Sequence, residues 1–265
     1  MKIGFIGVGN MAKAIIEGIL AAENVPASDI LIHSAHPANY EQYAQKWGLT
    51  ACANNNEVAQ QADLLFLAVK PLMAGEVLSY IKKTIITAHP VVVSMLSGVS
   101  LAELEQFIGT KNVEILRIMP NVNVAINQGI TALVGNGSLS SAHLQQAQSL
   151  LSDLGQTISL DEQDFSTFVA LAGSSPAFVY YYIDSMANAG VKYGLTKNAA
   201  VKIAAQAVMG SAANVLQSEK APRNLMDDVC SPGGTTIAGL LAMEEAGFTR
   251  AVIEGIDATI AKDKE

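Results

Sequence analysis

Residues 7–12, Gly-Val-Gly-Asn-Met-Ala, and residues 230–236, Cys-Ser-Pro-Gly-Gly-Thr-Thr, are the stretches whose residue types and spacing could do chemistry. In both, the working groups would be main-chain N–H donors. The first is a GxGxxA pattern that directly follows the apolar run KIGFI and opens a helical pattern. Gly7 permits a tight turn, Gly9 lets the backbone approach a pyrophosphate, and Ala12 keeps helix and strand close. The helix N-terminus at Asn10 and Met11 then faces the phosphates. A glycine turn that serves packing alone is the competing reading, and the strand-turn-helix setting weighs against it. In the second stretch, the N–H groups of a Gly233-Gly234 turn entering a helix form an anion site that needs no basic side chain. Ser231, Thr235 and Thr236 add hydroxyls that donate or accept. The same residues also fit a loop with a threonine cap, but a second anion site suits a chain that already binds a dinucleotide. Cys230 has no neighbouring histidine and reads as a small buried thiol, not a nucleophile.

Selectivity for the dinucleotide should be decided after the second strand, near His33, where NAD sites place an acid on the ribose 2′-hydroxyl. The residues there are His33-Ser34-Ala35-His36. With no acid to repel a 2′-phosphate, and with Ser34 and His36 able to donate to one, NADPH is expected over NADH, which stays the alternative. His36 also fits a solvated loop histidine. Two strands are expected to end in proline, Ala68-Val69-Lys70-Pro71 and Arg117-Ile118-Met119-Pro120-Asn121. The carboxyl ends of strands in an open α/β sheet are where ligands bind, so residues 68–71 should run along the cofactor's ribose and nicotinamide. Simple strand termination is the plainer role for both prolines, and Lys70 also fits a solvated charge.

The elements that must position these groups follow a βαβ rhythm up to about residue 160. KIGFIG, DILIH, LLFLAVK, PVVVSML, NVEILRIM, GITALVG and QTISL read as strands. Helices are expected from Asn10, from Pro37 and after Ser140, and Ser100 and Glu103 have capping-box spacing. This predicts a doubly wound α/β domain over 1–160. From 161 to 265 no strand pattern survives, and helices are expected over 161–172, 176–193, 197–217 and 235–262. Pro176 should open one of them and Gly194 should stop it.

Half of the 265 residues are hydrophobic and 15% are charged, a composition suited to an oligomer. Stretches such as AAVKIAAQAVMGSAANVL spread small and apolar residues too far round a helix for one buried stripe, which points the same way. A net charge of -8 leaves no basic footprint for nucleic acid. The 2 cysteines and 4 histidines show no disulfide framework or metal-ligand spacing. Glycines and the charges Lys13 and Glu17 interrupt the apolar start, so no signal peptide is expected. No apolar run approaches the roughly 20 residues of a membrane span, and a cytoplasmic location is expected.

IGFIGVGNMA, AVKP, RIMPN, GSSPAF at 173–178 and VCSPGGTTIAGLLAME at 229–244 resemble the pyrroline-5-carboxylate reductase family across essentially the whole chain. The resemblance implies NADPH- or NADH-dependent reduction of L-1-pyrroline-5-carboxylate to L-proline, the last step of proline synthesis. It also implies an N-terminal Rossmann domain and a C-terminal helical dimerisation domain, with the number of dimers in the assembly left open. It places the substrate carboxylate at Ser231, Gly234, Thr235 and Thr236, with the Thr236 hydroxyl near the ring nitrogen. The sequence departs from the common family pattern in having no Arg or Lys after the second strand. A β-hydroxyacid dehydrogenase would bring a catalytic lysine where GSSPAFVYYY has none. A non-catalytic dinucleotide sensor would have no use for the Ser-Pro-Gly-Gly-Thr-Thr stretch.

Overall fold

The computed structural model describes residues 1–263. Its strands are short runs rich in Ile, Leu and Val: β1 (Ile3–Ile6), β2 (Ile30–His33), β3 (Thr50–Ala51), β4 (Leu64–Leu67), β5 (Val91–Ser94), β6 (Ile115–Pro120), β7 (Gly129–Gly135) and β8 (Gly155–Ser159). They form one sheet in the order β3-β2-β1-β4-β5-β6-β7-β8. The pairs from β3 across to β6 are parallel. After β3 the chain crosses to the other side of β1, so the reversal of a doubly wound sheet falls between β1 and β4. β7 runs antiparallel to β6, and β8 runs parallel to β7. The β6–β7 connection holds only a 3-10 turn, Val122–Ile126, too short for the crossover that a parallel neighbour requires, so the chain doubles back.

Helices α1 (Asn10–Ala22), α2 (Pro37–Trp47), α3 (Asn55–Gln61), α4 (Ala74–Ala88), α5 (Leu101–Ile108) and α6 (Ser141–Ser152) cover the sheet. Alternate residues of each strand serve opposite layers. Leu64 and Phe66 of β4 share a core with Ile15 and Ile19 of α1, whereas Leu65 and Leu67 share one with Leu78 and Ile81 of α4. Phe5 and Phe66 stack with ring centroids 4.7 Å apart. Each such buried side chain stabilises the fold by about 1.5–3 kcal/mol. At the start of α5 Ser100 and Glu103 form the capping box their spacing predicts, and the Ser140 hydroxyl caps α6. The pattern did not foresee α3 or the two-residue β3.

The chain divides into two compact units, residues 1–173 with the chain end from Lys262, and Ser174–Ala261. The strand-free region therefore begins inside the first unit. Phe165 and Phe168 of α7 (Phe165–Phe168) pack with Met119 and Ala132 of the sheet. Where one helix is expected over 161–172, a 3-10 turn, α7 and a π-helical turn, Val169–Ser174, follow one another. The Asn121 amide donates to the Ala172 carbonyl inside the π turn at 3.1 Å, and a side chain bonded into a helix ladder favours such a bulge.

The second unit holds α8 (Ser175–Lys192), α9 (Lys197–Gln217), α10 (Pro222–Val229), α11 (Thr235–Glu245) and most of α12 (Phe248–Asp263). Pro176 lies in the first turn of α8 and Gly194 ends it, as expected. The expected helix over 235–262 is two helices, because the chain turns at Ala246-Gly247, and α10 was not expected. Gly190 of α8 approaches Ala200 of α9, and Ala187, Ala200 and Ala204 are buried there. By length and composition α9, with 21 residues and a window of mean hydropathy 1.3, could cross a membrane, contrary to the expectation that no run approaches that size. Its apolarity is spread through many alanines, which a search for long runs of large apolar residues overlooks.

Candidate functional site

Each unit carries its own part of the expected site. In the first, the Gly7 N–H donates to the His33 carbonyl at 2.8 Å, and the Ala68 N–H donates to the Ile6 carbonyl at 2.9 Å. The ends of β2, β1 and β4 are thereby stitched around one turn. Gly7 has φ 97°, and a Cβ there would lie 2.5 Å from the Ala68 carbonyl oxygen, so no other residue fits. A Cβ on Gly9 would meet nothing within 4 Å, so the backbone opens onto free space there. Gly9 caps α1 without a side-chain hydrogen bond, which leaves the N–H groups of Asn10, Met11 and Ala12 free of helical partners. Ala12 itself is buried. Open space, aligned N–H groups and the positive end of α1 suit a pyrophosphate.

β2 ends at His33, as expected, and no carboxylate occurs in residues 33–36. Ser34 is half-buried, and His36 is an exposed cap residue of α2 whose side chain makes no capping bond. β4 ends at Leu67, not at Pro71. Ala68 and Val69 are half-buried, Lys70 and Pro71 are exposed, and Pro71 opens a 3-10 turn. β6 does end in its proline, as expected: Pro120 is its last residue, in register with Thr131.

The strand-end stretch 117–121 contributes two buried polar residues, Arg117 and Asn121. Arg117 is buried, pairs with Glu162 at 2.7 Å and stacks over the Phe165 ring. Glu162 also accepts the N–H of Leu101 at the start of α5. Asn121 is buried, and its side-chain oxygen accepts the Ile130 N–H at 3.4 Å. RIMPN thus ties α5, β7 and the π turn to β6. Its strand-end position was legible, but its buried partners, distant in sequence, were not.

In the second unit Ser231-Pro232-Gly233-Gly234 forms one turn, closed by the Gly234 N–H on the Ser231 carbonyl at 3.0 Å. Proline at its second position and Gly233 at φ 70° fit a type II turn. Gly234 then caps α11 with no side-chain bond. Its N–H is spent within the turn, so the donors left are those of Gly233 and, in the first turn of α11, Thr235, Thr236 and Ile237. A Cβ on Gly234 would collide with the Ser231 hydroxyl. Ser231, Thr235 and Thr236 are exposed, with no hydrogen-bond partner for their side chains among the described residues. Cys230 is only half-buried, against the expected buried thiol. The buried thiol is Cys52, which burial pushes up to about 11.

A family model described as pyrroline-5-carboxylate reductase dimerisation matches residues 162–265. One described as NADP oxidoreductase coenzyme F420-dependent matches residues 2–98. The chain is 38% identical to the pyrroline-5-carboxylate reductase of Escherichia coli K12 over 264 residues, covering 100% of this chain and 97% of that protein. It is 35% identical to pyrroline-5-carboxylate reductase 3 of Danio rerio, covering 100% and 91%. Among solved structures, the 1-pyrroline-5-carboxylate reductase of Streptococcus pyogenes is 39% identical with a TM-score of 0.88, covering 100% of this chain and 98% of that one. The Plasmodium falciparum pyrroline carboxylate reductase, solved with NADP bound, is 28% identical with a TM-score of 0.89, covering 100% and 97%.

Proposed function

The chain belongs to the pyrroline-5-carboxylate reductase family, and we propose that it reduces L-1-pyrroline-5-carboxylate to L-proline with NADPH, NADH being the alternative donor. The observation that carries this reading is the presence on one chain of two main-chain anion sites, one opening α1 after Gly7 and Gly9, the other opening α11 after Gly233 and Gly234. Gly9, Asn10, Met11 and Ala12 would hold the pyrophosphate. Ser34 and His36 would donate to the 2′-phosphate, and residues 68–71 would line the ribose and nicotinamide. Bound NADPH supplies the hydride.

In the second unit the N–H groups of Gly233 and Thr235 and the Ser231 hydroxyl would hold the substrate carboxylate, with Gly234 keeping the turn narrow. The Thr236 hydroxyl would hydrogen-bond the ring nitrogen. Hydride adds to the carbon of the C=N bond, and the nitrogen takes its proton from water, directly or through that hydroxyl. A ring imine lies close enough to its own protonation range to need no dedicated strong acid. Orientation of the two reactants supplies most of the acceleration.

The chain would work as a homodimer, with assembly of dimers open. Tyr181 and Leu216, at 77% and 84% exposure, are too apolar for open water, so we assign the surface of α8 and α9 to a second subunit and not to lipid. Two unpaired cysteines support a reducing cytoplasm. The test is oxidation of NADPH and of NADH on adding pyrroline-5-carboxylate. Turnover with the lower KM for NADPH, reversed by Ser34→Asp, is expected. No turnover with either cofactor overturns the reading.

A further inference from the structure

Strand β6 turns one face toward the segment that leads out of the first unit. The side chains of residues 117, 119 and 121 share that face, because the extended backbone continues through Asn121, at φ -115° and ψ 169°. At the start of the segment Arg117 pairs with Glu162 at 2.7 Å and lies over the Phe165 ring at 4.7 Å. Met119 packs with Phe165, Phe168 and Ala172 along it. At its end the Asn121 amide donates to the Ala172 carbonyl at 3.1 Å. One strand therefore braces residues 162–172 at both ends and in the middle, and the second unit begins just beyond, at Ser174.

Stability alone does not account for this brace. Arg117 is 7% exposed, and its Nε has no hydrogen-bond partner among the described residues. A buried ion pair contributes no more than apolar residues of the same volume, and a buried donor left unpaired subtracts from that. The segment also ends in a π turn, Val169–Ser174, a form that is rare and frequent at functional sites. What the brace secures is direction, because the π turn sets the line on which the chain leaves the sheet unit.

We propose that Arg117 and Asn121 are positioning residues for hydride transfer, which brace the π turn and so fix the junction between the unit that holds the dinucleotide and the unit that holds the substrate acid. The inference rests on the function proposed above. Hydride transfer needs the reacting carbons about 3–3.5 Å apart and aligned, and a misplacement of about 1 Å costs on the order of a hundredfold in rate. A loosened junction would leave both ligands bound and their alignment lost. The effect runs through the backbone of 162–174 and requires no contact between either residue and a ligand.

The experiment is single-turnover kinetics on the full-length protein. Protein in excess over NADPH is mixed with saturating pyrroline-5-carboxylate, and the rate constant and the amplitude of NADPH oxidation are read separately; partial unfolding lowers the amplitude and not the rate constant. Asn121→Asp keeps the shape and the acceptor for the Ile130 N–H but loses the donor to Ala172. Its rate constant should fall roughly tenfold to a hundredfold. Arg117→Met, which keeps the packing on Phe165 and loses the Glu162 pair, should fall roughly tenfold, and Arg117→Lys, which keeps a charge for Glu162, should recover most of that. NADPH affinity and the KM for pyrroline-5-carboxylate should stay within about twofold in all three. Ser140→Ala is the control: it removes the cap of α6, on the other face of the sheet, and should lower the melting temperature while the rate constant holds. A structural role predicts the control's pattern for Asn121→Asp and Arg117→Met as well, and that result overturns the inference. So does a loss confined to KM or to NADPH affinity. If the parent protein oxidises no NADPH, the function reading falls and takes the inference with it; if the parent turns over and both variants match its rate constant, the inference alone falls.

Discussion

In the sheet unit Ile15 and Leu64 are fully buried and Phe66 is 1% exposed, whereas the helical unit leaves Tyr181 77% and Leu216 84% exposed. The sheet unit closes two apolar layers with its own helices. The helical unit buries little beyond the alanines between α8 and α9, and α10, α11 and α12 bury no side chain. Helices of this composition gain most of their stability from tertiary packing. The first unit should therefore hold its fold alone, and the second should depend on the surface that covers it. The family model matched over residues 162–265 is described as a dimerisation domain.

The largest effect should come from cutting into the self-contained side. Phe66→Ala removes the ring stacked on Phe5 and should cost about 3–5 kcal/mol, read by chemical denaturation at two protein concentrations with the same loss at both. Leu216→Asp should act differently. It places a charge in the surface assigned to the second subunit and should weaken association by roughly thirtyfold or more, about 2–3 kcal/mol, seen as smaller species in sedimentation. An unchanged assembly would break the contrast between the units.

Thr236→Ala sharpens the contrast from the side of chemistry. Gly234, not a threonine, caps α11, and no side chain bonds to that helix end. The substitution should therefore leave thermal stability alone while lowering kcat/KM roughly tenfold to a hundredfold, the loss of about 1–3 kcal/mol. NADPH affinity should barely change, and Thr236→Ser should recover most of the activity. Gly234→Val should be worse than either, because its Cβ displaces the Ser231 hydroxyl and its branches crowd the peptide donors of the turn. Unaltered kcat/KM in Thr236→Ala would remove the hydroxyl from the reaction.

The smallest effect belongs to the capping box of α5. Hydrogen bonds from the Ser100 hydroxyl and N–H hold the Glu103 carboxyl below its usual range. A depressed carboxyl stabilises the fold above its unfolded pKa, about 4.3, and the contribution fades as pH falls through and below that value. Ser100→Ala should cost about 1 kcal/mol at pH 7 and less at pH 3, when measured by thermal unfolding at both.

Local signals carried well. The strand-turn-helix at Gly7, the Ser100–Glu103 spacing and the GITALVG strand stand where a reading of neighbouring residues puts them. What failed depends on residues distant in sequence. The π turn at 169–174 forms where Asn121 reaches Ala172, 51 positions away, and no periodicity within 161–172 reports that contact. The direction of β7 follows from the brevity of the β6–β7 connection, not from the strand's composition. Gly233 and Gly234 were legible as a turn, but its closing bond, which removes the Gly234 N–H from the donors, is a matter of geometry.

Because the donors at the Ser231–Gly234 turn are peptide groups, replacing side chains leaves them in place. If that turn holds a carboxylate as proposed, an alanine scan of 231–236 would register the Ser231 and Thr236 hydroxyls and the strain of a side chain on Gly233, and pass over the peptide donors themselves. Such a grip has no ionisable group of its own and holds any small acid presented at the right distance. Discrimination among ring acids, and among inhibitors built to imitate them, must then come from whatever surrounds the ring.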